Sequence, residues 1–185
     1  MREKRAAVPD VVDDIMDAWR TQDPSVAHVA AEISKRIARL DSLLHAATDR
    51  ALEPFGFQKA EFGVLSALRR MGPHHRLKPN ELARSLLISS GGTSNVLRRL
   101  EQAGLIERGV DPNDQRSSWV RLTREGVRIT DQAVRVYTAA QAEFFRPVAE
   151  RTARDAADLL REVLVAVGDA SPRAVGAPIR RARRG

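Results

Sequence analysis

Apolar residues first fall into helical spacing at Val11, Ile15, Ala18 and Trp19, which predicts a short helix over 10–20. Asp23-Pro24 then supplies a capping acid followed by a proline, whose fixed φ suits a first helical turn. Beyond it, apolar residues recur at Val26, Ala30, Ile33, Ile37, Leu40, Leu44, Ala47 and Ala51. The steps alternate four and three, a heptad seam that needs a partner helix from this chain or a second copy. Pro54 and Gly56 end it. A further helix is expected over 60–71, closed by Gly72-Pro73, followed by two short ones over 79–87 and 93–103. Gly104 falls where a left-handed C-terminal cap is needed.

The period then changes. Residues 105–110 and 118–122 are short β-rich runs, and the seven residues between them, Asp111 to Ser117, read as a turn-rich tip. Thr123 can cap a helix whose apolar positions are Ile129, Ala133, Val136, Ala140, Phe144 and Val148. A last helix carries Ala156, Leu159, Leu160, Val163, Leu164 and Val167. The result is a mainly α chain with a small β-hairpin. A helix pair followed by a hairpin is the winged helix-turn-helix pattern, the hairpin being the wing.

Composition narrows the function classes. With 185 residues, 43% of them apolar, the chain can bury the core of one domain with extensions. It has no cysteine, which excludes disulfides, thiolate catalysis and sulfur-bound zinc. Net charge is +7, unevenly spread: −4 over 10–57, +6 over 69–124 and +5 over 171–185. A basic middle block suggests a polyanionic partner. The tail, 169–185, holds five arginines and no acid after residue 170, and reads as disordered. The four histidines (His28, His45, His74 and His75) form no metal-binding spacing, and no phosphate loop, dinucleotide fingerprint or nucleophile elbow occurs. The expectation is therefore no enzyme, no metal and no cofactor. The longest uncharged run, 85–97, has 13 residues and is rich in hydroxyls, too short and polar for a bilayer. The first twenty residues lack an apolar signal core. The chain is expected to be cytoplasmic, with no membrane partner.

The stretch 77–126 carries the chemistry. Ser89, Ser90, Thr93, Ser94 and Asn95 crowd the start of the helix over 93–103, and Arg98 and Arg99 follow. Such a helix reads base edges near its N-terminus, while hydroxyls, amides and arginines also serve phosphates. A hydroxyl cluster can simply cap a helix, but one residue fills that role. Arg116 lies at the hairpin tip, where a guanidinium can enter a minor groove.

The segment from Leu77 to Gly126 resembles the MarR family of bacterial transcription regulators, through LxxxGLIxR, then DPxD with a nearby arginine, then LT-x-x-G. The resemblance implies double-stranded DNA and a second copy of the chain as partners. It divides the chain into an N-terminal helix (1–22), dimerisation helices (23–57 and 123–168), a DNA-binding lobe (58–122) and the tail. It also implies that Arg116 is the wing-tip arginine and that Asp114 orients it. Two residues depart from the family pattern. Gln115 replaces the first arginine of the usual Asp-Arg-Arg wing, and Lys78 stands where Thr or Ser usually caps a helix, a loss of ~1 kcal/mol.

The additional N-terminal helix with Trp19 looks like the urate-responsive branch, whose ligand set includes an Asp and an Arg. Gly63 and Val96 occupy those two places here. With Trp19 and His45 they make up the candidate ligand site, and the expectation is an effector less charged than urate, one of another kind, or none. The function expected is a ligand-responsive repressor that binds a pseudo-palindromic operator as a homodimer. The alternative is a sequence-independent architectural DNA-binding protein, favoured by the arginine tail.

Overall fold

The structure is a computed structural model that describes residues 8–71, 76–86, 90–111 and 114–170; at positions 85, 90, 110, 111 and 114–117 the description covers the backbone alone. Seven helices and three short strands are described: α1 (Val11–Gln22), α2 (Val29–Leu52), α3 (Lys59–Arg69), β1 (Arg76–Leu77), α4 (Pro79–Leu86), α5 (Ser90–Gln102), β2 (Ile106–Asp111), β3 (Asp114–Leu122), α6 (Arg124–Phe145) and α7 (Glu150–Ala166). The chain forms two compact bodies, one ending at Gln141 and the other beginning at Ala142. No described helix is long and apolar enough to cross a membrane.

Local chemistry sets the helix starts. The Asp10 carboxylate accepts from the Val12 and Asp13 amides at 2.8 and 3.0 Å, and Asp13 returns a bond to the Asp10 amide, a complete capping box for α1. The face of α1 that is buried is Val12 and Met16, not the expected Val11, Ile15 and Trp19, which stay exposed. The buried pair and the exposed set both have helical spacing, so periodicity alone does not choose between them. The start of α2 also differs from expectation. Asp23-Pro24 opens a separate 3-10 turn over Pro24–Val26, where Asp23 accepts from the Ser25 amide and hydroxyl. α2 begins only after His28, whose Nδ1 accepts from the Ala31 amide at 3.3 Å. Val26 therefore precedes the helix, and the seam within it starts at Ala30.

The core of the first body joins Val64, Leu65 and Leu68 of α3, Leu82 of α4, Leu97 and Leu100 of α5, and Leu105, Ile106, Val120 and Leu122 at the sheet. The sheet has three strands in the order β1-β3-β2, all antiparallel. The third strand was not anticipated: Arg76 and Leu77 pair with Arg121 and Val120. A two-residue strand has no period to detect. The wing strand β3 begins at Asp114, four residues earlier than the sequence predicts, and pairs back to Asp111 after a register shift.

One junction fixes how the wing passes into α6. Gly104 takes a left-handed φ of 69° as expected, and the Thr123 hydroxyl donates to its carbonyl at 2.8 Å. The same hydroxyl accepts from the Gly126 amide at 2.9 Å, capping α6, while the Thr123 amide donates to the Leu105 carbonyl. A Cβ on Gly126 would overlap that carbonyl oxygen. The LT-x-x-G motif is thus a cap plus a close backbone approach. In the second body α7 buries no residue, and Leu159, Leu160, Val163 and Leu164 are exposed.

Candidate functional site

Helix α5 divides into two faces. Thr93, Leu97 and Leu100, spaced four and three apart, turn inward and are at most 2% exposed. Ser94, Asn95, Arg98 and Arg99 are exposed, and an Arg98 Nη donates to Asn95 Oδ1 at 3.3 Å. Thr93 therefore belongs to the inner face, a correction to its grouping with the surface hydroxyls. Its neighbours in sequence lie outward because a helix turns 100° per residue. Ser90 is the first residue of α5, and its side chain is not described. Ser89 lies outside the described residues, as do the side chains of Asp114, Gln115 and Arg116, whose backbone forms the start of β3.

Arg99 is held in a way the sequence did not reveal. Its Nε lies 2.9 Å from Glu61 Oε1, and one Nη donates to Gln58 Oε1 at 3.0 Å. Glu61 is only 5% exposed, and its other carboxylate oxygen accepts from the Gln58 amide at 2.8 Å. The guanidinium so grips the first turn of α3. The signal available in the sequence was the capping spacing from Gln58 to Glu61, but no local pattern names a partner 38 residues away. α4 shows a related compensation. Lys78 supplies no small capping side chain, yet its amide donates to Glu81 Oε2 at 2.7 Å, so half of a capping box survives.

Cations continue along the sheet. Arg121 pairs with Glu107 at 2.5 Å and lies over the Trp119 ring, 5.0 Å from its centroid. Arg108 pairs with Glu101 at 3.0 Å, tying β2 to α5.

A cavity of about 740 Å³ opens within the first body, between α2, α3 and α6. Its apolar wall includes Leu52, Phe62, Leu86 and Val134, with Tyr137 packed on Phe62 at a ring separation of 4.7 Å. His45 and Gly63 of the expected ligand set line it; Trp19 and Val96 do not, the latter packing against the core instead. Lys59, Arg69 and Arg70 line it too, beside Asp49, so cations reach the cavity from α3 and its C-terminal cap although Val96 holds the aligned arginine position. Arg69 forms a two-pronged pair with Asp131 of α6 at 2.6 and 3.2 Å, and this hydrogen bonding raises its pKa above the ordinary arginine value. Ser66 Oγ is enclosed in the wall without a hydrogen-bond partner. A Cβ on Gly63 would press on the Leu86 side chain at 3.1 Å. Among the described residues no group of three potential metal ligands occurs.

Known proteins match this layout. A sequence model of the MarR family covers residues 55–117. The HTH-type transcriptional regulator PecS of Dickeya dadantii is 27% identical over 139 residues, covering 75% of this chain and 84% of PecS. An HTH-type transcriptional regulator of Bacillus cereus is 30% identical over 113 residues, 61% of this chain and 73% of that one. Among solved structures, a mutant Escherichia coli MarR complexed with operator DNA has a TM-score of 0.65 at 24% identity, covering 79% of this chain and 97% of MarR. CouR of Rhodococcus jostii bound to p-coumaroyl-CoA has a TM-score of 0.63 at 22% identity, covering 74% and 94%. The winged helix-turn-helix, its outward-facing α5 and these matches converge: the chain belongs to the MarR family of DNA-binding transcriptional regulators.

Proposed function

We propose that this regulator is a repressor that binds a pseudo-palindromic operator as a homodimer and releases it when a small molecule enters the cavity. The observation that carries the reading is the outer face of α5, where Ser94, Asn95 and Arg98 stand exposed. Residues of this kind fit base edges and phosphates in a major groove. Two copies set half-sites about 10 bp apart. Ser89, Ser90, Asp114, Gln115 and Arg116 complete the proposed DNA contacts, with Arg116 entering the minor groove from the wing. That MarR was solved with operator DNA supports this reading by likeness of fold.

The cavity takes a largely apolar ligand bearing an anionic group. Phe62, Tyr137 and Leu52 accept a flat apolar body, while Lys59 and Arg70 supply charge at the wall. CouR, which holds p-coumaroyl-CoA, supports a ligand role for this architecture. A ligand that binds better when the two α5 helices are wrongly spaced shifts the population away from the DNA-bound state.

The test is a binding titration on duplexes enriched from random DNA by the wild-type chain. Arg116→Ala should lower operator affinity by roughly 1–3 kcal/mol without changing the melting temperature. Asn95→Ala should change which bases are preferred. Equal binding to every duplex, with uniform coating, would instead identify an architectural protein that works through its arginine tail.

A further inference from the structure

We propose that Glu61 and Arg99 form a positioning pair that seats α5 for reading DNA, with Arg99 bracing the helix rather than neutralising a phosphate. This rests on α5 being the helix that enters the groove. Arg99 lies one turn beyond Asn95 on the same helix, so the point where it is anchored sets the height and roll at which Asn95 is presented. Its anchor is unusually constrained. The Glu61 carboxylate is almost wholly buried, with Oε2 taken by the Gln58 amide and Oε1 by Arg99 Nε. A second prong from Arg99 reaches Gln58 Oε1 at 3.0 Å. A planar guanidinium presents Nε–H and Nη–H to the two acceptors in one fixed fork; an ammonium has donors enough but no such preset geometry. Without Arg99 the buried carboxylate has lost its cation, and a buried charge left unpaired drives rearrangement of whatever surrounds it. Two of the three nitrogens of Arg99 are thus committed to α3. A phosphate contact would have to compete with a buried acid for the same side chain.

The sign of one effect separates this role from simple electrostatics. Removing an acid from a basic DNA-binding surface should tighten binding to a polyanion. The positioning role requires the opposite for the specific site. The full-length chain is compared as wild type, Glu61→Gln, Arg99→Gln, Arg99→Lys and the Glu61→Gln/Arg99→Gln double variant. Each is titrated by fluorescence anisotropy against the enriched operator and a scrambled duplex over a range of salt, with thermal melts alongside. Glu61→Gln is expected to lose at least tenfold in operator affinity while binding the scrambled duplex as well as, or better than, wild type. Arg99→Gln should lose as much without altering the slope of log affinity against log salt, and the double variant should be no worse than either single one. Arg99→Lys keeps a cation at a half-exposed position, so it tests the brace even where Glu61→Gln lowers stability; it should fall with Arg99→Gln.

Unchanged or tighter operator binding by Glu61→Gln overturns the proposal. So does an Arg99→Gln salt slope shallower by about 0.9, the signature of one lost phosphate contact, together with rescue by lysine. A wild-type chain that prefers no operator at all overturns the reading of α5 itself, a distinguishable result.

Discussion

At the scale of single residues, the junction between wing and α6 shows how little space some positions allow. Gly126 lies in the first turn of α6 where the Leu105 carbonyl passes against it, so a methyl group there must push aside either the helix or the segment leading into β2. Gly126→Ala is therefore expected to destabilise the fold by about 1–3 kcal/mol, as overpacking of a tight site does. A urea titration monitored by circular dichroism measures it, and an unchanged midpoint would show that the junction yields freely. Arg36 poses a different question, one of pH. It joins Asp10 and Asp13 at the start of α1 and Glu32 on its own helix, at 2.9, 2.6 and 3.2 Å. Its hydrogen bond to Asp10, helped by the Asp13 and Val12 amides, holds the Asp10 carboxyl below its ordinary 3.8. A carboxyl depressed in the fold contributes stability above its unfolded pKa and loses it as pH falls through the folded value. The attachment of α1 should thus weaken on acidification below about pH 4, and Arg36→Gln should move the Asp10 midpoint upward. Carboxyl carbon shifts followed by NMR decide it: coincident midpoints in the two proteins rule the linkage out.

At the scale of elements, what the sequence disclosed depended on whether the cause was local. The apolar inner face of α5, the Gly104 cap and the Thr123 cap are each written within a few residues, and each is found as expected. β1, the buried face of α1 and the hold of Glu61 on Arg99 depend on segments distant in sequence, which no periodicity reports. The lining of the cavity proposed for a ligand depends on distant segments in the same way: His45 and Gly63 meet there, and Lys59, Arg70 and Tyr137 join them through packing of α2, α3 and α6. Lys78 lies between these cases. The absence of a small capping side chain was visible in the sequence, while the compensating bond to Glu81 was visible only as a three-residue spacing. Because Glu81 already satisfies the Lys78 amide, Lys78→Ser should add the missing half of the box and stabilise α4 by about 0.5–1 kcal/mol. The measurement is the shift in urea midpoint; a decrease would mean that the lysine itself contributes something a cap does not replace.

For the whole molecule, the decisive feature is apolar surface that one copy of the chain leaves uncovered. On α2, Ile33, Ile37 and Leu40 are between 42% and 45% exposed, and Val29 is exposed further still. These are seam positions or their neighbours, and α1 adds Val11, Ile15 and Trp19 as a second exposed stripe. In the second body the apolar side chains of α7 are likewise open to solvent. Scattered apolar residues on a surface need no explanation, but stripes at helical spacing along several helices do. A second copy supplies identical stripes and can cover them in a two-fold arrangement, in which the same patch serves both partners. Light scattering at micromolar concentration is expected to give twice the 20.5 kDa chain mass. Placing a charge in the seam with Ile37→Glu should shift this toward one chain mass, since an unpaired carboxylate cannot be buried against its own copy without a large desolvation cost. Operator affinity should fall in parallel, because a single copy reaches one half-site and forgoes the gain from linking two. The winged lobe should keep its own melting transition, as its core draws nothing from residue 37. A wild-type chain that stays folded and monomeric at these concentrations, or an Ile37→Glu variant that remains dimeric and binds operator normally, would show that the seam serves some other purpose.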